Sequence, residues 1–318
     1  MILYQWRGPS SNFGDELNSL LWPRLLPGFF DDDPAVRFLG IGSVLDCRHP
    51  RHALKLVAGA GYGGYEARPV LDDSWVVHWV RGPRTAATLG LPDSLGLGDP
   101  AMLLPLTLTL PATRDGGIGF MPHFESLGRG AWQTVAALAG VTLIDPRLPP
   151  LDVLAAIGRC RLLLSEAMHG IIAADALRVP WIAIRPLAPV HRAKWQDWAE
   201  AAQVAPRFAP LPASSVAEWV VTGSPFARRL SRRRLDRMER GLAGVRSERL
   251  VARTAEALGR ATGMAPQLSP DSALDRCQSR MLDAVARLRR QPCGSAAAHG
   301  CSHLQATADS AYQPTLIG

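Results

Sequence analysis

The sequence predicts a parallel α/β fold in two domains, and three observations carry that expectation. Short apolar runs alternate with helical patterns through the first two-thirds of the chain, as strands joined by crossover helices do. The 318 residues suffice for two cores of roughly 100 to 150 residues each. A Pro/Thr/Leu-rich, charge-poor stretch over 105–113, followed by Arg114-Asp115-Gly116-Gly117, breaks the pattern where two such cores would meet.

In chain order, a strand at 1–6 leads through the loop Arg7-Gly8-Pro9-Ser10-Ser11-Asn12-Phe13-Gly14 to a helix opening on Asp15-Glu16-Leu17, an acidic start that complements the helix dipole. Runs at 36–41, 75–80, 118–121, 141–144, 162–164 and 181–184 read as further strands. Helical patterns at 84–89, 132–139, 151–157, 169–177 and 191–202 fall between several of them. The most informative unit covers 163–184: an apolar run, a polar break carrying His169, an alanine-rich helical pattern and a second apolar run. It places His169 at or near a helix N-terminus beyond the carboxyl end of a strand. Open parallel sheets bind ligands there, and helix amides favour anions. A histidine in that place also serves as an ordinary cap or packing residue.

Net charge is +7, so anionic partners are expected: phosphates, acidic sugars, nucleic acid or an anionic membrane surface. The five cysteines, Cys47, Cys160, Cys277, Cys293 and Cys301, show neither paired spacing nor disulfide-scaffold density, so no disulfide and no metal site is expected. No apolar run approaches the about 18 residues that span a bilayer. The segment Met1-Ile2-Leu3-Tyr4-Gln5-Trp6 lacks the basic start and long apolar stretch of a signal peptide, so a cytoplasmic location is expected.

Beyond residue 225 the strand signal disappears. Leu235, Met238, Leu242 and Val245, then Leu250 and Leu258, then Met281, Leu282, Val285 and Leu288 recur at helical spacing. Arginines at 228, 229, 232, 233, 234, 237 and 240 give this basic extension three readings: packing on the α/β core with arginines in solvent, docking on an anionic inner leaflet, and, third, binding nucleic acid. The small, polar tail that follows reads as disordered, and His299 and His303 around Cys301 are not expected to hold a metal.

Gly59-Ala60-Gly61-Tyr62-Gly63-Gly64 satisfies G-x-G-x-x-G, but Tyr65-Glu66-Ala67-Arg68-Pro69 is no helix start; a glycine-rich loop near the cleft is the better reading. No P-loop, HExxH, GxSxG or paired-CxxC motif appears. Chemistry must therefore rest on loop islands. Trp79-Val80-Arg81-Gly82-Pro83-Arg84-Thr85 sets two arginines between a strand and a helix, suited to clamping an anion. Gly98-Asp99-Pro100 puts a carboxylate in a turn, Phe120-Met121-Pro122-His123-Phe124-Glu125 brings a second histidine to a strand end, and Arg192-Ala193-Lys194-Trp195 adds cations. Each also has a plain structural role: surface ion pair, turn cap or core packing.

Taken in order, Asn12-Phe13-Gly14-Asp15-Glu16-Leu17-Asn18, Gly40-Ile41-Gly42-Ser43-Val44-Leu45, Val80-Arg81-Gly82-Pro83-Arg84-Thr85, Gly98-Asp99-Pro100, Met121-Pro122-His123-Phe124 and the 165–180 unit resemble the polysaccharide pyruvyl transferase family over about residues 1–205. The likeness is greatest to its succinoglycan and xanthan branch. It implies two Rossmann-like domains in a GT-B-like arrangement, at 1–112 and 113–225, followed by the helical extension at 226–291 and the tail at 292–318. It also implies phosphoenolpyruvate as donor, with no separate cofactor, and the terminal hexose of a lipid-linked repeat unit as acceptor. The products are a 4,6-pyruvate ketal and phosphate. No nucleic-acid partner is implied, and peripheral contact with the inner membrane is.

Adding an alcohol across the enol ether of that donor requires protonation at C3 while C2 gains oxocarbenium character, so a general acid must sit beside a cationic pocket. His169 is the first candidate acid and His123 the second. Arg81, Arg84 and Lys194 are expected to hold the donor's anionic groups, aided by Asn12, Ser165 and the helix start at Gly14. Asp99 or Asp15 is expected to deprotonate or orient the sugar hydroxyl. Relatives carry an arginine two residues before the histidine where this chain has Ala167, so the clamp is expected to pass to Arg81, with Arg185 and Arg192 behind it. The alternatives are a nucleotide-sugar glycosyltransferase of the same architecture and a non-catalytic anion-binding relative.

Overall fold

The alternating runs form two parallel sheets. A computed structural model describes residues 1–8, 10–110, 114–223, 230–242 and 247–290. Strands β1 (Ile2–Tyr4), β2 (Val36–Leu39), β3 (Leu54–Ala58) and β4 (Trp75–Trp79) lie side by side in sequence order. Strands β5 (Gly116–Met121), β6 (Thr142–Leu143), β7 (Cys160–Ser165), β8 (Trp181–Ile184) and β9 (Phe208–Ala209) form the second sheet in the order β6-β5-β7-β8-β9. The helices are α1 (Phe13–Leu25), α2 (Pro83–Thr88), α3 (Leu104–Thr107), α4 (Phe124–Arg129), α5 (Trp132–Leu138), α6 (Pro150–Arg159), α7 (Met168–Ala176), α8 (Ala193–Ala201), α9 (Val216–Glu218), α10 (Arg232–Leu242), α11 (Glu248–Ala261) and α12 (Asp271–Arg290).

Two strands are additions to the sequence reading. In β3 a lysine interrupts the apolar run; Lys55 is 1 % exposed, lays its stem in the sheet and sends Nζ to Ser74 Oγ and, at 3.3 Å, to the Pro50 carbonyl. β9 has only two residues. The stretch expected as a linker begins inside α3, just after the buried Met102, Leu103 and Leu104, and 111–113 lie outside the described residues. In the first sheet, β2, β3 and β4 are joined by loops at 40–53 and 59–74 in place of helices.

Helix α7 decides how the two sheets meet. Of its residues only His169 is not buried, so the helix is apolar all round and is enclosed on every side. Ile171 and Ile172 share one core with Phe13, Leu17 and Trp22 of α1, Trp79 of β4, Trp181 of β8 and Met281 of α12. Buried Asp175 ties the end of α7 to later chain, accepting from Trp181 Nε1 at 2.8 Å and from the Ser269 amide at 2.8 Å. Asn18 joins α1 to the loop after β2: its Nδ2 donates to the Ile41 carbonyl at 2.9 Å and its Oδ1 accepts from the Ile41 amide at 2.8 Å.

The C-terminal helices divide in character. α11 packs on the second sheet through Ala255 and Leu258, while α12 crosses to the first, where Gln278 donates to the Met102 carbonyl at 2.8 Å and Arg280 to the Ser94 carbonyl at 2.6 Å. Leu282, expected in the stripe, is exposed. In α10, Arg233, Arg234, Arg237 and Arg240 are exposed; Arg228, Arg229, Val245 and the tail from 291 lie outside the described residues.

A buried ion pair fastens α8 to the first sheet. Arg81 Nε donates to Asp197 Oδ2 at 3.0 Å, and the Thr85 amide and hydroxyl donate to the same carboxylate at 2.9 and 2.6 Å. Asp197→Ala would leave the fully buried Arg81 guanidinium without its counter-charge, so unfolding in urea should be easier by about 3–5 kcal/mol. A loss below about 1 kcal/mol would show that the pair does not hold the halves of this contact together.

Candidate active site

The first turns of α1 and α7 touch. A Cβ added at Gly14 would lie 2.0 Å from His169 Nδ1, so the imidazole rests on the bare backbone of α1. The turn before α7 is set by buried Ser165, whose hydroxyl lies within donating distance of the carbonyls of Ala167 (2.9 Å) and Met121 (3.1 Å), with one proton to give, and accepts from the Ala167 amide at 3.1 Å. A Cβ at Gly170 would meet that hydroxyl at 2.6 Å. Ser165 thus shapes the turn from which His169 emerges.

A fully buried carboxylate, Asp99, meets the histidine, and a partly buried one, Asp15, follows Gly14 in the same turn. His169 Nε2 lies 3.4 Å from Asp99 Oδ2, and neither atom has another hydrogen-bond partner among the described residues. Asp99 Oδ1 caps the short 3₁₀ turn Pro100–Leu103 by accepting from the Ala101 amide at 3.0 Å. Burial works to raise the pKa of Asp99, but His169, the Ala101 amide and Arg81 outweigh it and hold the carboxyl below its usual value. Asp15 goes the other way: burial raises its pKa against the pull of His169, Asn12 and Lys194. Asn12 Nδ2 donates to Asp15 Oδ2 at 2.5 Å, and the other carboxylate oxygen lies over Gly42.

A second cluster lies alongside. His123 caps α4, and its ring stacks on His191 with centroids 4.1 Å apart. Burial, followed by the electrostatic influence of His191, Lys194 and Arg129, puts the pKa of His123 well below the usual histidine value. His191 Nε2 lies 3.2 Å from Glu125 Oε2, and Nδ1 lies 3.0 Å from the Tyr65 hydroxyl. Burial opposes ionisation of Glu125, but His191, His123 and Arg129 prevail and bring its pKa to about 2. Lys194 acts electrostatically on both Asp15 and His123.

The donor atoms of His123, Glu125 and His191 come within 4.8 Å of one another. Their imidazole planes lie nearly parallel, at 27°, and Arg129 pairs with the Glu125 oxygen that faces His191. As folded, His191 is hydrogen-bonded to Glu125, which is also paired with Arg129.

Of the residues singled out from sequence, Asn12, Gly14, Asp15, Asp99 and His169 come together, with Lys194 and His123 at the edges. Arg81 and Arg84 do not join them. Arg81 is fully buried and its guanidinium is committed to Asp197, to Ser43 Oγ at 2.8 Å and to the Tyr62 carbonyl at 3.1 Å. The glycine-rich loop exists for this contact: a Cβ at Gly61 would lie 2.3 Å from Arg81 Cζ. Arg84 is exposed and pairs with Glu200 at 2.6 Å. Arg185 and Arg192 line a separate cavity with Gln196 and Phe208, and Arg192 donates to the Pro186 carbonyl at 3.0 Å.

Four contributors were not picked from sequence. Buried Glu166 accepts from the His123 amide (3.0 Å), Ser126 Oγ (3.1 Å) and the Leu187 amide (2.8 Å), and so holds His123 in place. A charged residue inside the apolar β7–α7 unit was its only signal. Glu125 stands two residues after His123, His191 opens a helical pattern, and Tyr65 had no signal beyond following the glycines.

Two parallel sheets with helices packed between and around them, and a histidine meeting a buried carboxylate where two helix starts touch, define an α/β protein. The chain belongs to the polysaccharide pyruvyl transferase family. Residues 59–186 match the pattern described as "Polysaccharide pyruvyl transferase". The chain is also 35 % identical, over 316 residues, to the succinoglycan biosynthesis protein ExoV of Rhizobium meliloti (strain 1021), covering 90 % of this chain and 98 % of the relative. No solved structure matches it significantly. No helix among the described residues is long and apolar enough to cross a membrane.

The depressed pKa of Glu125 makes a pH prediction. A carboxyl whose folded pKa is about 2 against an ordinary 4.5 contributes stability that is fully present above pH 4.5 and is lost as pH falls toward 2. Relative to Glu125→Gln, the wild type should be more stable by about 3 kcal/mol at pH 6, with the gap closing below pH 4.5. A pH-independent gap in urea unfolding would contradict it.

Proposed function

We propose that this protein transfers the pyruvyl group of phosphoenolpyruvate to a terminal hexose of a lipid-linked exopolysaccharide repeat unit, forming a 4,6-pyruvate ketal and releasing phosphate. The observation that carries the reading is His169, 3.4 Å from Asp99 and packed on Gly14 next to Asp15, where the first turns of α1 and α7 meet. In this reading His169 protonates C3 of the donor while Asp99, ionised and close to Nε2, stabilises the imidazolium. Asp15, whose raised pKa suits a base, takes the proton of the first sugar hydroxyl to add at C2. Lys194 and the positive ends of the α1 and α7 dipoles hold the donor's carboxylate and phosphate. Arg81 positions the loops carrying Ser43 and Tyr62, so the clamp implied for it passes to Lys194.

The likeness to a succinoglycan biosynthesis protein supports a polysaccharide-type acceptor. The same reading takes 1–112 and 113–225 as two Rossmann-like domains in a GT-B-like arrangement, with the exposed arginines of α10 turned toward the anionic inner leaflet that holds the acceptor.

Phosphate release from phosphoenolpyruvate in the presence of 4-nitrophenyl hexosides or lipid-linked oligosaccharides tests the reading. Acceptor-dependent release is expected, and His169→Ala should reduce it by about 10²–10⁴-fold while remaining folded. No release with any acceptor, together with thermal stabilisation by nucleotide sugars and none by phosphoenolpyruvate, would replace this reading with a glycosyltransferase. Stabilisation by phosphoenolpyruvate without turnover would point to a non-catalytic anion binder.

A further inference from the structure

Tyr65, His191 and Glu125 form a hydrogen-bonded chain whose direction the chemistry fixes. Glu125, with its carboxyl ionised, only accepts, so the His191 nitrogen facing it at 3.2 Å, Nε2, carries the proton. In a neutral imidazole Nδ1 is then the bare nitrogen, and the Tyr65 hydroxyl 3.0 Å away must donate to it. A base oriented by a carboxylate and hydrogen-bonded to a hydroxyl is the arrangement by which proteins activate that hydroxyl. Tyr65 is 38 % exposed, while His191 is buried and Glu125 partly so, which leaves the phenol as the end of the chain open to a ligand. It comes from the glycine-rich loop, with its ring over Gly63, and the other two come from the second sheet's side.

We propose that Tyr65 is a second acid–base residue of this site, serving the second of the two sugar hydroxyls, with His191 and Glu125 as positioning residues behind it. The inference rests on the ketal-forming reading above. Forming a cyclic ketal removes a proton from each of two hydroxyls and delivers one to C3 and one to the departing phosphate. His169 and Asp15 account for the first addition only. In ring closure the second hydroxyl oxygen bonds to C2 as its O–H bond breaks. Its proton passes to the Tyr65 oxygen while the phenol proton passes to His191 Nδ1, leaving an imidazolium held by Glu125. The C2–O bond to phosphate breaks with its electron pair, and phosphate takes the proton back through Tyr65, restoring all three residues.

Two measurements on the full chain test this. In steady-state phosphate release with a hexoside diol, Tyr65→Phe and Glu125→Gln should each lower kcat by about 10²–10⁴-fold while KM for phosphoenolpyruvate stays within threefold. A Tyr65→Phe variant that keeps kcat within threefold, or that loses only donor KM, overturns the proposal; so does a loss confined to Glu125→Gln, which would end the chain at His191. Nitrogen-15 chemical shifts of the His191 ring read the chain without any turnover. Wild type should show Nε2 protonated and Nδ1 bare, and Glu125→Gln should shift that tautomer balance. A wild-type Nδ1–H tautomer overturns the proposal even in an active protein. A wild type that releases no phosphate with any diol overturns the ketal-forming reading and, with it, this assignment to the second hydroxyl, whatever the tautomer shows.

Discussion

The site depends on a close approach that only glycine permits. His169 Nδ1 sits where a side chain at residue 14 would begin, so the first turns of α1 and α7 come together and bring two positive helix ends to one point. Everything else follows from holding those helices there. α7 is enclosed by apolar contacts on all sides, α1 is pinned to the loop after β2 through Asn18, and the only side chain of α7 left unburied is the histidine. Its rotation is limited by Gly14 on one side and Asp99 on the other, which is the pre-organisation a general acid needs.

Arg81 does comparable work one layer back. A buried guanidinium is tolerable when its donors are met, and this one meets the Asp197 carboxylate, a serine hydroxyl and a backbone carbonyl. It thereby fixes the two loop crossovers of the first sheet and the start of α8 relative to one another. Lys194 and the His191 turn ride on that segment, so the cation and the second histidine cluster owe their positions to an arginine that touches neither. Opposite environments then separate the titrating groups: His123 is driven well below the usual histidine value by burial, Glu125 is kept ionised by its neighbours, and Asp15 is raised while Asp99 is lowered.

Much of this was legible in the chain. The 163–184 unit gave its strand, turn, helix and strand because burial on all sides writes an apolar pattern with one polar interruption. The islands at Asn12–Asp15, Asp99 and His169 were legible because polar residues stand out against the apolar strands and helices that they interrupt or precede. β3 was hidden by Lys55, whose charge reaches the sheet edge while its stem fills the core. Arg81 read as an anion clamp because its counter-charge is 116 residues away in sequence. Tyr65 and His191 were invisible for the same reason, being 126 residues apart and joined only by the fold.

The central claim is that C3 of phosphoenolpyruvate is protonated beside His169 while sugar oxygens add at C2. Turnover in deuterium oxide tests it most directly, with the product methyl group read by mass spectrometry and proton NMR. The account predicts one deuterium in each pyruvate-ketal methyl group formed, with no such product from His169→Ala. A product that keeps its vinyl protons, or a methyl group without solvent deuterium, would contradict it.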